Sequence, residues 1–298
     1  MQEIIKVDSI EQYNDLFSFD THHPLVAVVE FSRSEVLCNY RVNWGFYALF
    51  LKDTKGCVIN YGKTRYDYDD QTVISFAPGQ TSGFEQVEDI QPHTIGLLFH
   101  PDFLFGTGLA QKMKRYTFFA YKANEALHLS KEERQIIHDC LMRIRTELRH
   151  PIDSFSKDLM ISNIEMLLDY CLRFYTRQFI MRDEMNHHTL TRFEQLLDEY
   201  LHSGMTSRYG LPNVKYFADK ACLSPHYFGD LVKRETGKTA QEFIQLKLVS
   251  LAKEKLLDGI SNINQIADAL GFQYPQHFIR FFKREVGCTP REFKQNAG

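Results

Sequence analysis

The stretch Pro275-Gln276-His277-Phe278-Ile279-Arg280-Phe281-Phe282-Lys283-Arg284-Glu285-Val286-Gly287 decides how this 298-residue chain is read, because it is written twice. Pro225, Phe228, Lys233-Arg234-Glu235 and Gly237 stand 50 positions earlier. Both copies continue into a threonine and a Glu-Phe pair: Thr239 with Glu242-Phe243, and Thr289 with Glu292-Phe293. Upstream, Phe217-Ala218-Asp219 returns as Ile266-Ala267-Asp268 at an offset of 49, so the one-residue difference falls in a turn, where insertions are tolerated. A repeat of this length marks one supersecondary unit used twice.

Each copy has the same layout. Val214, Phe217, Ala218 and Ala221 stand at i, i+3, i+4 and i+7, one face of a short helix, and Ile263, Ile266, Ala267 and Leu270 do likewise. A tight turn follows, through Cys222 in the first copy and Gly271 in the second. Ser224-Pro225 opens the next helix with an N-cap and a proline at its first position. Phe228, Leu231 and Val232 form its core face, matched by Phe278, Phe281 and Phe282. Gly237 and Gly287 end these helices as C′ glycines. Helix, tight turn and helix, with small alanines at the crossing, is the signature of a helix-turn-helix, here in tandem.

In such a unit the second helix reads base edges mainly from its N-terminal half. With the phenylalanines buried, the second copy presents Gln276, Ile279, Arg280 and Lys283. Gln suits adenine, Arg suits guanine, and an apolar side chain meets a thymine methyl. The first copy presents His226, Gly229, Asp230 and Lys233. Gly229 offers no side chain, and Asp230 repels phosphate unless it accepts from a cytosine amino group, so this copy is expected to position more than to read. The competing reading of both stripes is an ordinary solvated helix face. Between the copies, Thr239 to about Leu257 reads as one helix, with Ile244, Leu248 and Leu251 on one stripe and Val249, Ala252 and Leu256 beside it. Nineteen residues at ~1.5 Å each reach ~28 Å, close to the ~34 Å between successive major grooves, so one rigid helix can hold both units on one DNA face.

Charge agrees with this. From Met205 to Gly298 there are 14 Lys and Arg against 9 Asp and Glu, a net of +5, while the rest of the chain carries 21 against 29, a net of −8. A basic tail on an acidic body fits phosphate binding. Hydrophobic residues make up 44% and charged residues 24%, the composition of a water-soluble globular protein. No apolar run approaches the ~20 residues of a membrane span, and Met1-Gln2-Glu3 does not start a secretory signal, so the cytoplasm is the expected location and no membrane partner is expected. Cys38, Cys57, Cys140, Cys171, Cys222 and Cys288 lie far apart, as reduced and mostly buried thiols would, rather than as a zinc or dithiol motif.

The remaining sequence falls into two regions. Leu25–Phe31, Gly45–Leu51, Cys57–Tyr61 and Thr72–Ala77 read as short strands, with a turn at Pro78-Gly79-Gln80, which favours a sandwich or barrel to about residue 110. From about 110 to 182 the pattern is helical. Ser130-Lys131-Glu132-Glu133 is a capping box leading a stripe of Ile136, Ile137, Cys140, Leu141, Ile144 and Leu148 that ends before Pro151. A second helix is expected from Ser154 to about Phe179, with Leu159, Ile164, Leu167, Leu168 and Cys171 inward. These two helices either form a dimer interface or pack on their own domain. Asp183–His188 is polar enough for a linker, and helical pattern resumes at Leu190.

Residues 205–298 resemble the DNA-binding domain of AraC/XylS-type transcriptional regulators, two helix-turn-helix units joined by a long helix. The resemblance rests on Ile266-Ala267, Leu270-Gly271-Phe272, His277-Phe278-Ile279-Arg280-Phe281-Phe282-Lys283, Gly287-Cys288-Thr289-Pro290 and Phe293. At Leu248, beside Lys247, the chain departs from the Arg usual in the family's connecting helix. The resemblance implies an α+β chain: an N-terminal cupin-like β-barrel with a helical dimerisation segment over 1–182, a linker at 183–190, and an all-α double helix-turn-helix domain over 191–298. The partners it implies are double-stranded DNA, a second copy of the chain, a small-molecule effector bound by the N-terminal domain, and RNA polymerase. The alternative is an effector-independent regulator whose N-terminal domain only dimerises or binds a protein.

A third possibility, an enzyme carrying a DNA-binding domain, finds little support. Cupin metal sites use a His-x-His pair, whereas His22-His23 are adjacent and His93 and His100 lie seven apart, so neither metal nor other cofactor is expected. His187-His188 suit a solvated stretch, and Glu132-Glu133 are explained by a helix N-terminus. No phosphate loop, nucleophile elbow or zinc-protease motif is present, so no catalytic residue is named. The aromatic residues Tyr40, Trp44, Phe46, Tyr47, Phe50, Tyr61, Tyr66 and Tyr68 either line a small-molecule pocket or fill a core.

Overall fold

The computed structural model of the protein describes residues 4–31, 40–52, 57–61, 64–66, 71–86, 93–122, 125–181, 183–258 and 260–296. Cys38 and Tyr68 lie outside these residues, as do the side chains of Tyr40, Cys57, Tyr61 and Tyr66. The chain divides into two compact units, Met1–Met181 and Arg182–Gly298.

Among the described residues the first unit has ten strands: β1 (Ile4–Val7), β2 (Val26–Glu30), β3 (Tyr40–Trp44), β4 (Tyr47–Lys52), β5 (Cys57–Tyr61), β6 (Thr64–Tyr66), β7 (Thr72–Phe76), β8 (Thr81–Gln86), β9 (Thr94–Phe99) and β10 (Leu127–His128), with helix α1 (Ile10–Leu16) after the first. They form two five-stranded sheets, ordered β1-β3-β8-β5-β6 and β10-β7-β4-β9-β2. Among the described residues only the β1–β3 pair runs parallel. The strand pattern allows a sandwich or a barrel, and the resemblance implies a cupin-like barrel. Among the described residues the strands make two separate sheets, not one closed barrel.

One core joins the two sheets. Val42 and Trp44 enter it from one sheet, and Ala48, Phe50, Ile74, Phe76 and Leu98 from the other, with Tyr13 and Phe17 of α1. Trp44 stacks on Phe76 at 5.3 Å between ring centroids and donates its indole N–H to the buried Ser82 Oγ at 2.8 Å. The core thus gains large apolar area and leaves that one polar atom satisfied. Trp44, Phe46 and Phe50 are therefore core residues, the second of the two roles the sequence allowed.

The second sheet carries helices on its other face. α3 (Lys131–Arg149) begins at the expected capping box, where Ser130 Oγ accepts from Glu133 N and Glu133 accepts from Ser130 N. Its Ile137, Cys140, Leu141 and Ile144 are buried against β2, β4 and β9 and against α4 (Ser156–Met181). Both faces of β4 are covered, so Ala48–Lys52 reads as an unbroken buried run rather than an alternation. In α4 the inward stripe is Met160, Ile164, Leu167, Leu168 and Cys171, whereas Leu159, expected inward, is 49% exposed. Leu159 lies one position, hence ~100° of helix, from that stripe. The stretch from 110 to 130 is only partly helical: α2 (Gly108–Lys112) is short, 3₁₀ turns follow it, and β10 rejoins the second sheet beside β7. Tyr116, whose phenol burial and Asp169 together keep protonated, ties this segment to α4 by donating to Asp169 at 2.9 Å.

The second unit is all helix: α5 (Asp183–His202), α6 (Met205–Tyr209), α7 (Val214–Lys220), α8 (Pro225–Thr236), α9 (Ala240–Leu257), α10 (Ile263–Ala269), α11 (Pro275–Val286) and α12 (Pro290–Asn296). The stretch 183–190, expected as a linker, lies in α5. Its polarity suits a solvated helix face, and His187 and His188 are exposed there.

Candidate nucleic-acid interface

The repeat in the sequence is a repeat in backbone geometry. After α7, Cys222 N donates to Asp219 O at 3.1 Å and Leu223 N to Ala218 O at 2.9 Å. After α10, Gly271 N donates to Asp268 O and Phe272 N to Ala267 O, both at 2.9 Å. Both turn residues adopt left-handed backbone, with φ 58° at Cys222 and 88° at Gly271. α8 and α11 each start on a proline, and each ends on a left-handed glycine, Gly237 or Gly287. The next helix starts alike in both copies: Glu242 N donates to Thr239 Oγ1 at 3.2 Å, and Glu292 N to Thr289 Oγ1 at 3.3 Å. In return Thr239 N and Thr289 N donate to the glutamates, which holds both exposed carboxyls below their ordinary pKa.

Burial then decides which face of each second helix is free. In α11, Phe278, Phe281 and Phe282 are buried, with Phe278 5.5 Å from Phe272 and 5.8 Å from Phe282 between ring centroids. Gln276, Arg280 and Lys283 are exposed and Ile279 is half-buried. Their spacing of four and three residues keeps the three polar groups on one stripe. Among the described residues Gln276, Arg280 and Lys283 make no side-chain hydrogen bond or ion pair. The neighbouring Arg284 is engaged, donating to Glu285 at 2.7 Å and lying 5.7 Å from the Phe281 ring centroid.

In α8 the buried face is Phe228, Leu231 and Val232, joined by Tyr227, which the sequence reading did not assign to the core. His226 and Lys233 are exposed, while Gly229 and Asp230 are half-buried. The two starts also differ. Ser224 Oγ accepts from Tyr227 N at 3.1 Å, whereas Tyr274, before α11, makes no side-chain cap and is 53% exposed, its ring edge-on to His277. No pattern in the sequence marked Tyr274, because an aromatic residue at an N-cap position follows no capping rule.

The connecting helix α9 is 18 residues long, and Ala240, Ile244, Leu248, Val249, Leu251, Ala252 and Leu256 are buried along it. Leu248 is a core residue, while Lys247 beside it reaches Asp198 of α5 at 3.4 Å. α9 packs against α8 in the first unit of the repeat and against α10, α11 and α12 in the second.

Among the described residues no three His, Cys, Asp or Glu side chains gather closely enough to hold a metal ion. His23 instead accepts from Leu25 N at 3.1 Å through Nδ1, and its burial lowers the imidazole pKa. No described helix is long and apolar enough to cross a membrane.

Comparison with known proteins agrees with this geometry. The chain is 30% identical over 95 residues to an uncharacterised HTH-type transcriptional regulator, YobQ, of Bacillus subtilis, which covers 32% of this chain and 38% of that protein. It is 35% identical over 79 residues to the HTH-type transcriptional activator RhaS of Escherichia fergusonii, covering 26% and 28%. The match therefore spans well under half the length of either relative. A solved structure of ToxT from Vibrio cholerae aligns over 91% of this chain and 98% of its own, with 12% identity and a TM-score of 0.30. Residues 217–296, the two turns and the helices that follow them, match the family of helix-turn-helix domains.

Proposed function

We propose that this chain is a sequence-specific DNA-binding transcription regulator of the AraC type, with residues 191–298 binding double-stranded DNA. One observation carries this reading: two copies of one helix-turn-helix, joined by a single helix, in which α11 turns Gln276, Arg280 and Lys283 to solvent, with no side-chain hydrogen bond or ion pair among the described residues. Arg280 and Gln276 are the base-reading residues, Ile279 meets a thymine methyl, and Lys283 lies on phosphate. His226, Gly229, Asp230 and Lys233 of α8 dock the first unit more than they read. Selection from a random duplex library with the full chain tests this. Enrichment of one bipartite sequence is expected, and a bound pool indistinguishable from the input would refute the reading.

Residues 1–182 are read as a cupin-like domain that dimerises and responds to a small-molecule effector, with RNA polymerase as a further partner of the regulator. A cleft of about 220 Å³ beside β2 supports the effector role: Phe19, Val28 and Leu148 offer apolar surface and Arg149 a guanidinium group, while Arg145 is paired with Glu30 at 2.8 Å. A different observation favours the second reading, an effector-independent dimerisation module, because the space between the sheets is filled by Trp44, Phe46, Phe50 and Phe76. A thermal-shift screen with sugars, small carboxylates and other metabolites separates the two. A shift confined to one chemical class supports the effector, and no shift with dimerisation intact supports the module.

A further inference from the structure

The turn of the second helix-turn-helix touches a segment far from it in sequence. Gly210, which ends α6, lies against Gly271: a Cβ built on Gly271 would stand 2.7 Å from Gly210 C, 2.9 Å from Gly210 O and 3.0 Å from Leu211 N. All three are backbone atoms, which no rotamer change can move aside. One turn away, the buried Thr206 donates its hydroxyl to Ala269 O at 2.6 Å, one of the carbonyls left open at the end of α10.

The same segment is fastened to the first unit of the repeat. Tyr200 of α5 donates to Gly210 O at 3.1 Å. Burial raises the pKa of its phenol, so the hydroxyl keeps the proton it donates. The Tyr200 ring packs 5.2 Å from Tyr216 and 5.9 Å from Phe217, both on α7. A continuous path thus runs from α7 through Tyr200 to Gly210 and into the turn after α10, wholly outside α9.

The repeat contains its own control. Cys222 occupies the place of Gly271 in the first copy, with the same turn hydrogen bonds and the same sign of φ, and its side chain is exposed. Left-handed backbone alone therefore does not require glycine at this point of the motif. What requires it in the second copy is the approach of Gly210.

We propose that Thr206, Gly210 and Gly271, held by Tyr200, form a clasp that fixes the orientation of the second helix-turn-helix relative to the first, and so sets the spacing of the two DNA subsites that the chain accepts. The spacing role rests on the DNA-binding reading above; the clasp itself does not. A helix sets the separation of two bodies joined at its ends, and an attachment off its axis fixes the twist between them. These four are positioning residues and touch no base.

The test uses the full chain with bio-orthogonally attached spin labels at the exposed Lys238 and Arg291, one on each side of α9, and the variants Gly271→Asn, Thr206→Val and Cys222→Asn. Asn tolerates left-handed backbone but brings a Cβ, so Gly271→Asn opens the clasp without an intolerable φ. The native chain and Cys222→Asn should give one narrow label-to-label distance distribution, and Gly271→Asn and Thr206→Val a broadened or displaced one. On DNA selected by the native chain, moving the subsites apart by one base pair should cost native protein about tenfold more affinity than it costs Gly271→Asn. Affinity for either subsite alone should be equal in the two.

An unchanged distance distribution in Gly271→Asn would overturn the clasp. Thr206→Val decides the matter in the same way should Gly271→Asn not fold. A changed distribution with an unchanged spacing penalty would overturn the role in DNA recognition. Failure of the native chain to select any DNA would refute the DNA-binding reading, while the distance measurement would still decide the clasp.

Discussion

Arg280→Ala separates recognition from folding more cleanly than any other single change. Arg280 lies mid-way along the exposed stripe of α11, one turn after Gln276, and holds no hydrogen bond or ion pair among the described residues. Alanine is the best helix former, so the exchange should leave stability within about 0.5 kcal/mol. A bidentate arginine–guanine pair is worth about 1–3 kcal/mol against a wrong base. At about 1.4 kcal/mol for each factor of ten, affinity for the preferred sequence should fall about 5- to 150-fold. The loss should be confined to one base pair, where the variant no longer distinguishes the preferred base. Fluorescence anisotropy with duplexes substituted at each position, at fixed salt, measures both quantities, and a urea titration of the same preparation checks the fold. Equal weakening on all duplexes would move Arg280 to the phosphate backbone, and unchanged affinity would remove α11 from the groove; either result refutes the assignment.

Lys283→Ala should weaken binding to all sequences alike and flatten the slope of log K against log salt by about 0.9, the share of one phosphate; an unchanged slope excludes a phosphate contact. Phe278→Ala removes a fully buried ring that touches Phe272 and Phe282 and should cost about 3–5 kcal/mol, read from the urea midpoint. His23 has a folded-state pKa lowered by burial, so the unfolded chain takes up its proton first, and the stability it contributes above its ordinary pKa is lost as pH falls from that value through the lowered folded one. The native chain should therefore lose more melting temperature between pH 7.5 and pH 5.5 than His23→Gln (pH values bracketing about 6.5, the free imidazole value); parallel losses would show that burial does not hold His23 neutral.

The second unit was legible because its signals are local. Proline at the head of α8 and α11, glycine at their ends and apolar spacings of three and four residues each act within a few residues, and the two copies check one another. The first unit was less so. β4 is covered on both faces and shows no alternation, and the two-residue strand β10 exists only through its pairing with β7. Sequence could place aromatic residues near one another in the chain, but only the pairing of two sheets decides that Trp44 meets Phe76 and Ser82. Leu159 shows the limit of periodicity at a helix start, where one position separates core from solvent. At the interface, the exposed stripe of α11 followed from the burial of its phenylalanines. The contact of Gly210 with Gly271 joins residues 61 positions apart and left no trace in either copy of the repeat.

The difference between Cys222 and Gly271 also has a practical side. The first turn carries an exposed thiol at a place where the chain reverses, so a fluorophore or cross-linker attached there should leave the fold intact. At the matching point of the second turn there is no room for a methyl group. One molecule thus offers the permissive and the closed form of the same bend, and a reporter on Cys222 would follow the first helix-turn-helix alone.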